Sequence, residues 1–266
     1  MEPYKFTKII FNDGLLNKSI DATYIIHLEN NGRYEHIMEQ LSEYHPSNIV
    51  YILFNKGYKK SKKKSFINKS PLDLVDAFLE IFKHANEQNY NNILILEDDF
   101  IFSKKIKQIN HINNINMTIK KLGNDDFIYI LGCIPIIKIP YDCNNYNALT
   151  FGGTHSIIYS KQHRINILNI NQADIHDWDM IHTIRFGNMI NFKQIMYYKP
   201  LCYQLFTDTE NSKNWNLYTK DICMFYAKLL NVHKQVEPGF SNSYLISKIL
   251  SIVLFMFIIS RIIKKL

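Results

Sequence analysis

The stretch Ile93–Phe102, Ile-Leu-Ile-Leu-Glu-Asp-Asp-Phe-Ile-Phe, restricts the fold more than any other. Four aliphatic residues in a row, β-branched at alternate positions, run straight into Glu97, Asp98 and Asp99. An apolar run this short suits a strand buried on both faces of a parallel sheet. Open α/β sheets collect ligands at the carboxyl ends of such strands. Three adjacent carboxylates there repel one another, and burial strips them of water. A cation must offset that, and a hard divalent ion held by oxygen ligands is the simplest candidate. A second reading stays open from these residues alone, an acidic turn that sits in water or caps a helix.

The surrounding pattern supports the sheet. Asp21–Leu28 reads as a first buried strand, ended by the turn cluster Glu29-Asn30-Asn31-Gly32. Arg33–His45 places Tyr34, Ile37, Met38, Leu41 and His45 at helical spacing, and Asn48–Phe54 is a second strand. Strand, helix, strand over this length predicts a parallel βαβ unit. Ser70-Pro71-Leu72-Asp73 opens a further helix: Ser70 as cap, Pro71 in the first turn, Asp73 at the positive end of the helix dipole. Leu74, Val75, Phe78, Leu79, Phe82 and Ala85 form its apolar stripe, so it leads back to the acidic strand.

Beyond Phe102 the expectations are a helix over Lys104–Leu122, a buried strand over Asp126–Leu131 and a loop over Cys133–Asn147, which carries Pro135 and Pro140. Gly152-Gly153 precedes a strand or helix and lets backbone approach a ligand closely. Asp177-Trp178-Asp179 opens an amphipathic stretch over Met180–Phe186, Gln194–Lys199 resembles a strand, and Tyr218–Leu230 is a last amphipathic helix. There is no GxGxxG, no P-loop and no internal repeat.

Composition matters at three points. The formal charge of +7 is partly local, in Lys59–Lys64 and in Arg261, Lys264 and Lys265. Such runs bind nucleic acid, anionic lipid or diphosphate, but a solvated loop is the commoner use and is expected for Lys59–Lys64. Cys133, Cys143, Cys202 and Cys223 form no CxxC pair and no metal spacing, so free thiols in a reducing compartment are expected. Met1–Ile10 lacks the apolar core of a signal peptide. Tyr244–Leu266, by contrast, has about the apolar length of a membrane span, roughly 20 residues, flanked by Lys248 and Arg261; a buried core helix is the other reading, disfavoured because such a helix rarely lacks a polar face over this length. Two regions follow: residues 1–238 as a catalytic domain, and 239–266 as a hydrophobic tail anchoring it to the membrane from the cytosolic side. The basic terminus fits that topology poorly, because Lys and Arg prefer the cytosolic flank.

Four stretches in this order resemble glycosyltransferase family 25, which includes bacterial lipooligosaccharide glycosyltransferases and collagen galactosyltransferases. They are Thr23–Leu28 with Arg33; Asn92–Phe100 with Leu96-Glu97-Asp98-Asp99; Gly153–Ser160; and Lys199-Pro200-Leu201 with Gln204 and Ser212. The acidic stretch is the specific one, and the likeness covers about Asp21 to Ser212. The resemblance implies a GT-A-like α/β fold, a mostly parallel sheet flanked by helices, here with the added C-terminal helix. It also implies a UDP-sugar donor, Mn²⁺ or Mg²⁺, and transfer, inverting by the family likeness, to a hydroxyl on a glycan, lipid-linked sugar or protein.

Carried over by motif, metal contact falls to Asp99 and Glu97. The donor is lined by His27, Leu28, Arg33, Asp98, Gly153, Thr154 and His155, with Asp98 toward the ribose or sugar. Asp177 and Asp179 are candidate bases for the acceptor hydroxyl, with Trp178 either stacking on a sugar or filling the core. The late histidine of many GT-A metal sites is missing from Tyr203–Asn214, where Asp208 or Ser212 would substitute. Two other functions compete. A metal-dependent nuclease or phosphoryl-transfer enzyme would use the same acids, but no nucleic acid partner is expected. A degenerate transferase would bind sugar without turnover.

Overall fold

A computed structural model describes residues 2–175, 177–178, 192–204 and 217–264. Its centre is a seven-stranded mixed sheet. In chain order the strands are β1 Tyr4–Ile10, β2 Ala22–Leu28, β3 Ile49–Asn55, β4 Asn92–Glu97, β6 Phe127–Pro140, β7 Asn145–Ser160 and β8 Lys193–Tyr197. They lie side by side as β1-β3-β2-β4-β7-β6-β8. β2 pairs in parallel with both β3 and β4, and β6 with β8, whereas β1 and β7 run against their neighbours. The short strands β5 Phe100–Phe102 and β9 Cys202–Gln204 form a separate antiparallel pair.

Alternation along the central strands explains why both faces are covered. In β4, Ile93 and Ile95 point into one core, while Leu94 and Leu96 point into the other. Helix α2, Ser70–Glu87, lays Val75, Phe78, Leu79 and Phe82 on the first face. Helices α1, Tyr34–Glu43, and α3, Ile109–Leu122, cover the second with Ile37, Leu41, Ile115 and Ile119. The result is helix, sheet, helix, as a chain alternating strands and helices requires.

Several local expectations are corrected. Helix α2 starts at Ser70 itself, and Lys69 occupies the cap position without a side-chain cap among the described residues. Lys104–Leu122 is broken into a 3₁₀ turn, Lys104–Lys107, and α3. The stretch expected as a loop, Cys133–Asn147, belongs mostly to a long β6–β7 hairpin. Pro135 is tolerated because the ladder is irregular there, with register shifts on either side. The outer part of β6 has no strand on its far side among the described residues. It is covered instead by the C-terminal helix, Gly239–Ile263: Ser247 Oγ donates to the Ile136 carbonyl at 3.0 Å, and the Lys138 amide donates to Ser251 Oγ at 3.0 Å. Those bonds satisfy an otherwise open strand edge.

The lysine run is a loop, but Lys63 is not solvated. Its side chain is 2% exposed and pairs with Asp73, while Tyr4 and Asn55 accept further hydrogen bonds from it. Trp178 belongs to the core: it is 1% exposed, stacks on Phe78 at 4.1 Å and donates its indole N–H to Tyr159 Oη at 3.2 Å. Arg164, in helix α4 Lys161–Leu168, is fully buried and ties three backbone carbonyls, those of Tyr90, Asn91 and Tyr159, to the end of α2 through Asn86.

Candidate functional site

The chain goes from β2 to β3 on one side and to β4 on the other, so a crevice opens at the carboxyl ends of β2 and β4. Ligands of open sheets bind at such reversals of strand order. The acids are there, and they are held by protein groups. Asp98 is 6% exposed. Its Oδ2 accepts from the Leu28 amide at 3.1 Å, Asn31 Nδ2 at 2.6 Å and His27 Nδ1 at 3.3 Å, and its Oδ1 accepts from Arg33 Nη1 at 2.7 Å. The same Nη1 reaches Asp99 Oδ2 at 3.1 Å. Gln204 Nε2 donates to both oxygens of Asp99, each at 3.1 Å. Glu97 Oε1 accepts from the Thr154 hydroxyl at 3.2 Å.

Electrostatics separate the two aspartates. Burial works to raise the Asp98 carboxyl, but the His27 hydrogen bond and the Arg33 charge outweigh it and hold it below the ordinary range. At Asp99 burial wins, helped by the negative charge of Asp98, and the carboxyl is raised despite Arg33 and Gln204. The guanidinium of Arg33 loses by burial and gains more from Asp99 and Asp98, so it is firmly charged.

The second half of the site depends on glycine. β9 presses so closely on β6 that a Cβ on Gly132 would stand 1.9 Å from the Cys202 carbonyl oxygen. That approach delivers Gln204 to Asp99. Gly153, at φ +81°, leaves open a space where a Cβ would meet His155 Nδ1 at 3.2 Å and Gln204 Oε1 at 3.7 Å. His155 is 1% exposed, and burial lowers its pKa to about 4, so it is neutral near pH 7. Its Nε2 donates to the Cys202 carbonyl at 3.5 Å, which leaves Nδ1 as a lone-pair acceptor with no hydrogen-bond partner among the described residues. A neutral ring offers a phosphate no positive charge, but it can accept a hydroxyl proton.

On the other flank of Arg33 a pocket of about 490 Å³ opens, lined by His27, Glu29, Asn30, Gly32, Tyr34, Glu35 and Phe54. Tyr34 lies 5.6 Å from Phe54 and 5.8 Å from His27 between ring centres, so three aromatic rings wall it. Of the residues singled out in the sequence, His27, Leu28, Arg33, Asp98 and Asp99 are thus in one network. Glu97 and Thr154 are paired with each other, and Gly153 and His155 border Gln204. Tyr34, Phe54 and Asn31 come in from structure; Tyr34 had been assigned only to a helix face.

Asp177 adjoins Trp178, whose place in the core is fixed. Trp178 packs on Tyr159, which pairs with Ile93, four strand positions before Glu97 and so roughly 13 Å along the sheet. Asp179, Asp208 and Ser212 lie outside the described residues.

A divalent cation needs about six oxygen ligands. Among the described residues no group of three His, Cys, Asp or Glu side chains could hold one. Both oxygens of Asp99 already accept from Gln204, and Arg33 stands between Asp98 and Asp99. Among the described residues, Arg33 supplies the positive charge that meets Asp98 and Asp99.

No protein-family model matches the chain, and no curated protein does. Solved structures overlap it in part. The crystal structure of A197 from STIV is 10% identical with a TM-score of 0.38, covering 71% of this chain and 86% of that one. HddC from Yersinia pseudotuberculosis is 10% identical with a TM-score of 0.38, over 74% and 78%. A glycosyltransferase involved in glycosylation of the major capsid of PBCV-1 is 12% identical with a TM-score of 0.31, over 55% and 62%. Overlap of this degree passes no activity to the present chain.

Proposed function

We propose that this chain transfers a sugar from a nucleotide-sugar donor, a UDP-sugar by the motif likeness, to a hydroxyl acceptor. The observation that supports it is the aromatic pocket of His27, Tyr34 and Phe54 opening directly beside the Arg33–Asp98–Asp99 network. A volume of about 490 Å³ is within the usual range for small-molecule sites. Tyr34 offers its ring face to the base. Asp98 and Asn31, already fixed to the β2 loop, flank the ribose. Arg33 uses Nη1 on the acids and turns its remaining nitrogens to a phosphate oxygen. His155 Nδ1 accepts a sugar hydroxyl through the gap that Gly153 leaves.

In the reaction the acceptor oxygen bonds to the anomeric carbon. The bond from that carbon to the diphosphate breaks, and the hydroxyl proton passes to a base. Asp177 and Asp179 remain the base candidates from the sequence.

Calorimetric titration with a panel of UDP-sugars, with and without Mn²⁺, tests this reading. Wild type is expected to bind one of them. Tyr34→Ala should weaken that binding about tenfold or more, since stacking a base on an aromatic ring contributes about 1–3 kcal/mol. Tyr34 is 42% exposed, so the fold should be unchanged. Equal binding by both proteins would remove Tyr34 from the donor site. A requirement for Mn²⁺ would show that Arg33 alone does not suffice as the site's cation.

A further inference from the structure

The C-terminal helix has two parts with different surroundings. Its first turns are built into the domain: Gly239, Phe240, Ser243, Tyr244 and Ser247 are buried. Phe240 lies 6.0 Å from the His155 ring and 5.4 Å from Tyr203, the neighbour of Gln204. Tyr203 Oη donates to Glu237 at 2.6 Å, just before the helix, and Lys138 Nζ donates to the Tyr244 carbonyl at 2.9 Å. With the two serine bonds to β6, these contacts fix the direction in which the helix leaves.

From Ile252 to Ile259 every residue of the helix is apolar and exposed, Val253, Phe255 and Phe257 included. Its mean hydropathy reaches 2.2. A helix apolar all round needs either a protein core or lipid, and almost none of this stretch is buried. Basic residues, Lys248 at one end and Arg261 and Lys264 at the other, suit anionic head groups.

Length limits where the site then sits. Phe240 to Ile252 is twelve residues, roughly 18 Å along the helix axis. Lipid contact all round the helix therefore begins roughly 18 Å from a side chain that touches His155. The helix is continuous and Ser247 and Ser251 bond it to β6, so no flexible stalk intervenes and the site is held within roughly 20 Å of the lipid.

We propose that the acceptor is lipid-borne, a hydroxyl of a polyol or sugar head group presented at the bilayer surface. This rests on the sugar-transfer reading above. The head-group oxygen bonds to the anomeric carbon of the nucleotide sugar. The nucleoside diphosphate leaves, and the hydroxyl proton is taken up by a base.

The test compares the full chain with the double variant Val253→Lys, Phe257→Lys, which alters exposed positions only. Both are mixed with phosphatidylcholine–phosphatidylglycerol vesicles containing glucosyl-diacylglycerol, and with radiolabelled UDP-sugars. Flotation, organic-phase label and thermal stabilisation by donor are read. The full chain should float and label lipid. The variant should remain unfloated and label lipid about tenfold less or lower, because it loses the effective concentration that anchoring supplies, while donor stabilises both proteins equally. Failure of the full chain to float overturns the proposal. So does label that enters only added water-soluble oligosaccharide, to the same extent for both proteins, or no label in lipid. If no UDP-sugar stabilises either protein, the sugar-transfer reading fails and this proposal with it.

Discussion

Replacing Arg33 by methionine is expected to abolish donor binding and to destabilise the fold by about 3 kcal/mol at neutral pH. Removing one partner of a buried pair leaves an uncompensated charge, which costs about 3–5 kcal/mol. The low end applies because the Arg33 side chain is 26% exposed, against 9% for Asp98 and 7% for Asp99. The pH dependence separates this from simple loss of packing. In wild type the depressed Asp98 carboxyl contributes stability that is present above the ordinary carboxylate pKa of about 3.9, and that is lost as pH falls through its folded value. Without Arg33 both carboxyls rise, so the native state binds protons more tightly than wild type does and gains less stability as pH rises through that window. The difference between the proteins should therefore be large at pH 7 and shrink toward pH 3 in urea titrations. A constant difference would assign Arg33 a packing role only.

Lys63→Met should cost about 3–5 kcal/mol in the same measurement, although it removes one lysine from a run of five. Its ammonium pairs with Asp73 and lies 3.8 Å from Asp76, carboxylates whose side chains are 8% and 14% exposed. Tyr4 joins the group from β1, with its hydroxyl 2.6 Å from Asp76 Oδ2 and its ring 4.1 Å from the ammonium. Without Lys63, two acids at the start of α2 face each other uncompensated, and the edge strand keeps only the Tyr4–Asp76 hydrogen bond to the helix. The exposed neighbour gives the control: Lys62→Met should change stability by no more than about 0.5 kcal/mol. Equal, small effects of both substitutions would return the whole run to solvent.

These two lysines show where sequence reasoning stops. A charge run looks the same whether its members sit in water or not. What singles out Lys63 is that Asp73, Asp76 and Tyr4 converge on it, from a helix and from a strand 59 residues away. The β2–α1–β3–α2–β4 core was legible, because buried strands and one-sided helices write their periods directly. β1 was not: Lys5 and Lys8 alternate with apolar residues, and such a strand survives at a sheet edge only through its partner β3. The β6–β7 hairpin was hidden by its prolines, which read as loop unless the bulges and the covering helix are known. At the site, the acids and their need for positive charge were legible, but the partners that each acid meets in the fold were not. Arg33 meets Asp98 across 65 residues of chain, and Gln204 meets Asp99 across 105. Contacts at such separations carry no local signature.

The most direct measurement is photolabelling with a UDP-sugar that carries an azido group on the uracil ring, followed by peptide mapping. Label on the β2–α1 segment around Tyr34, or on Phe54, is the predicted result, and unmodified UDP-sugar should compete it away. Label confined to peptides away from that pocket, or label indifferent to competition, would contradict a donor site built on the Arg33–Asp98–Asp99 network.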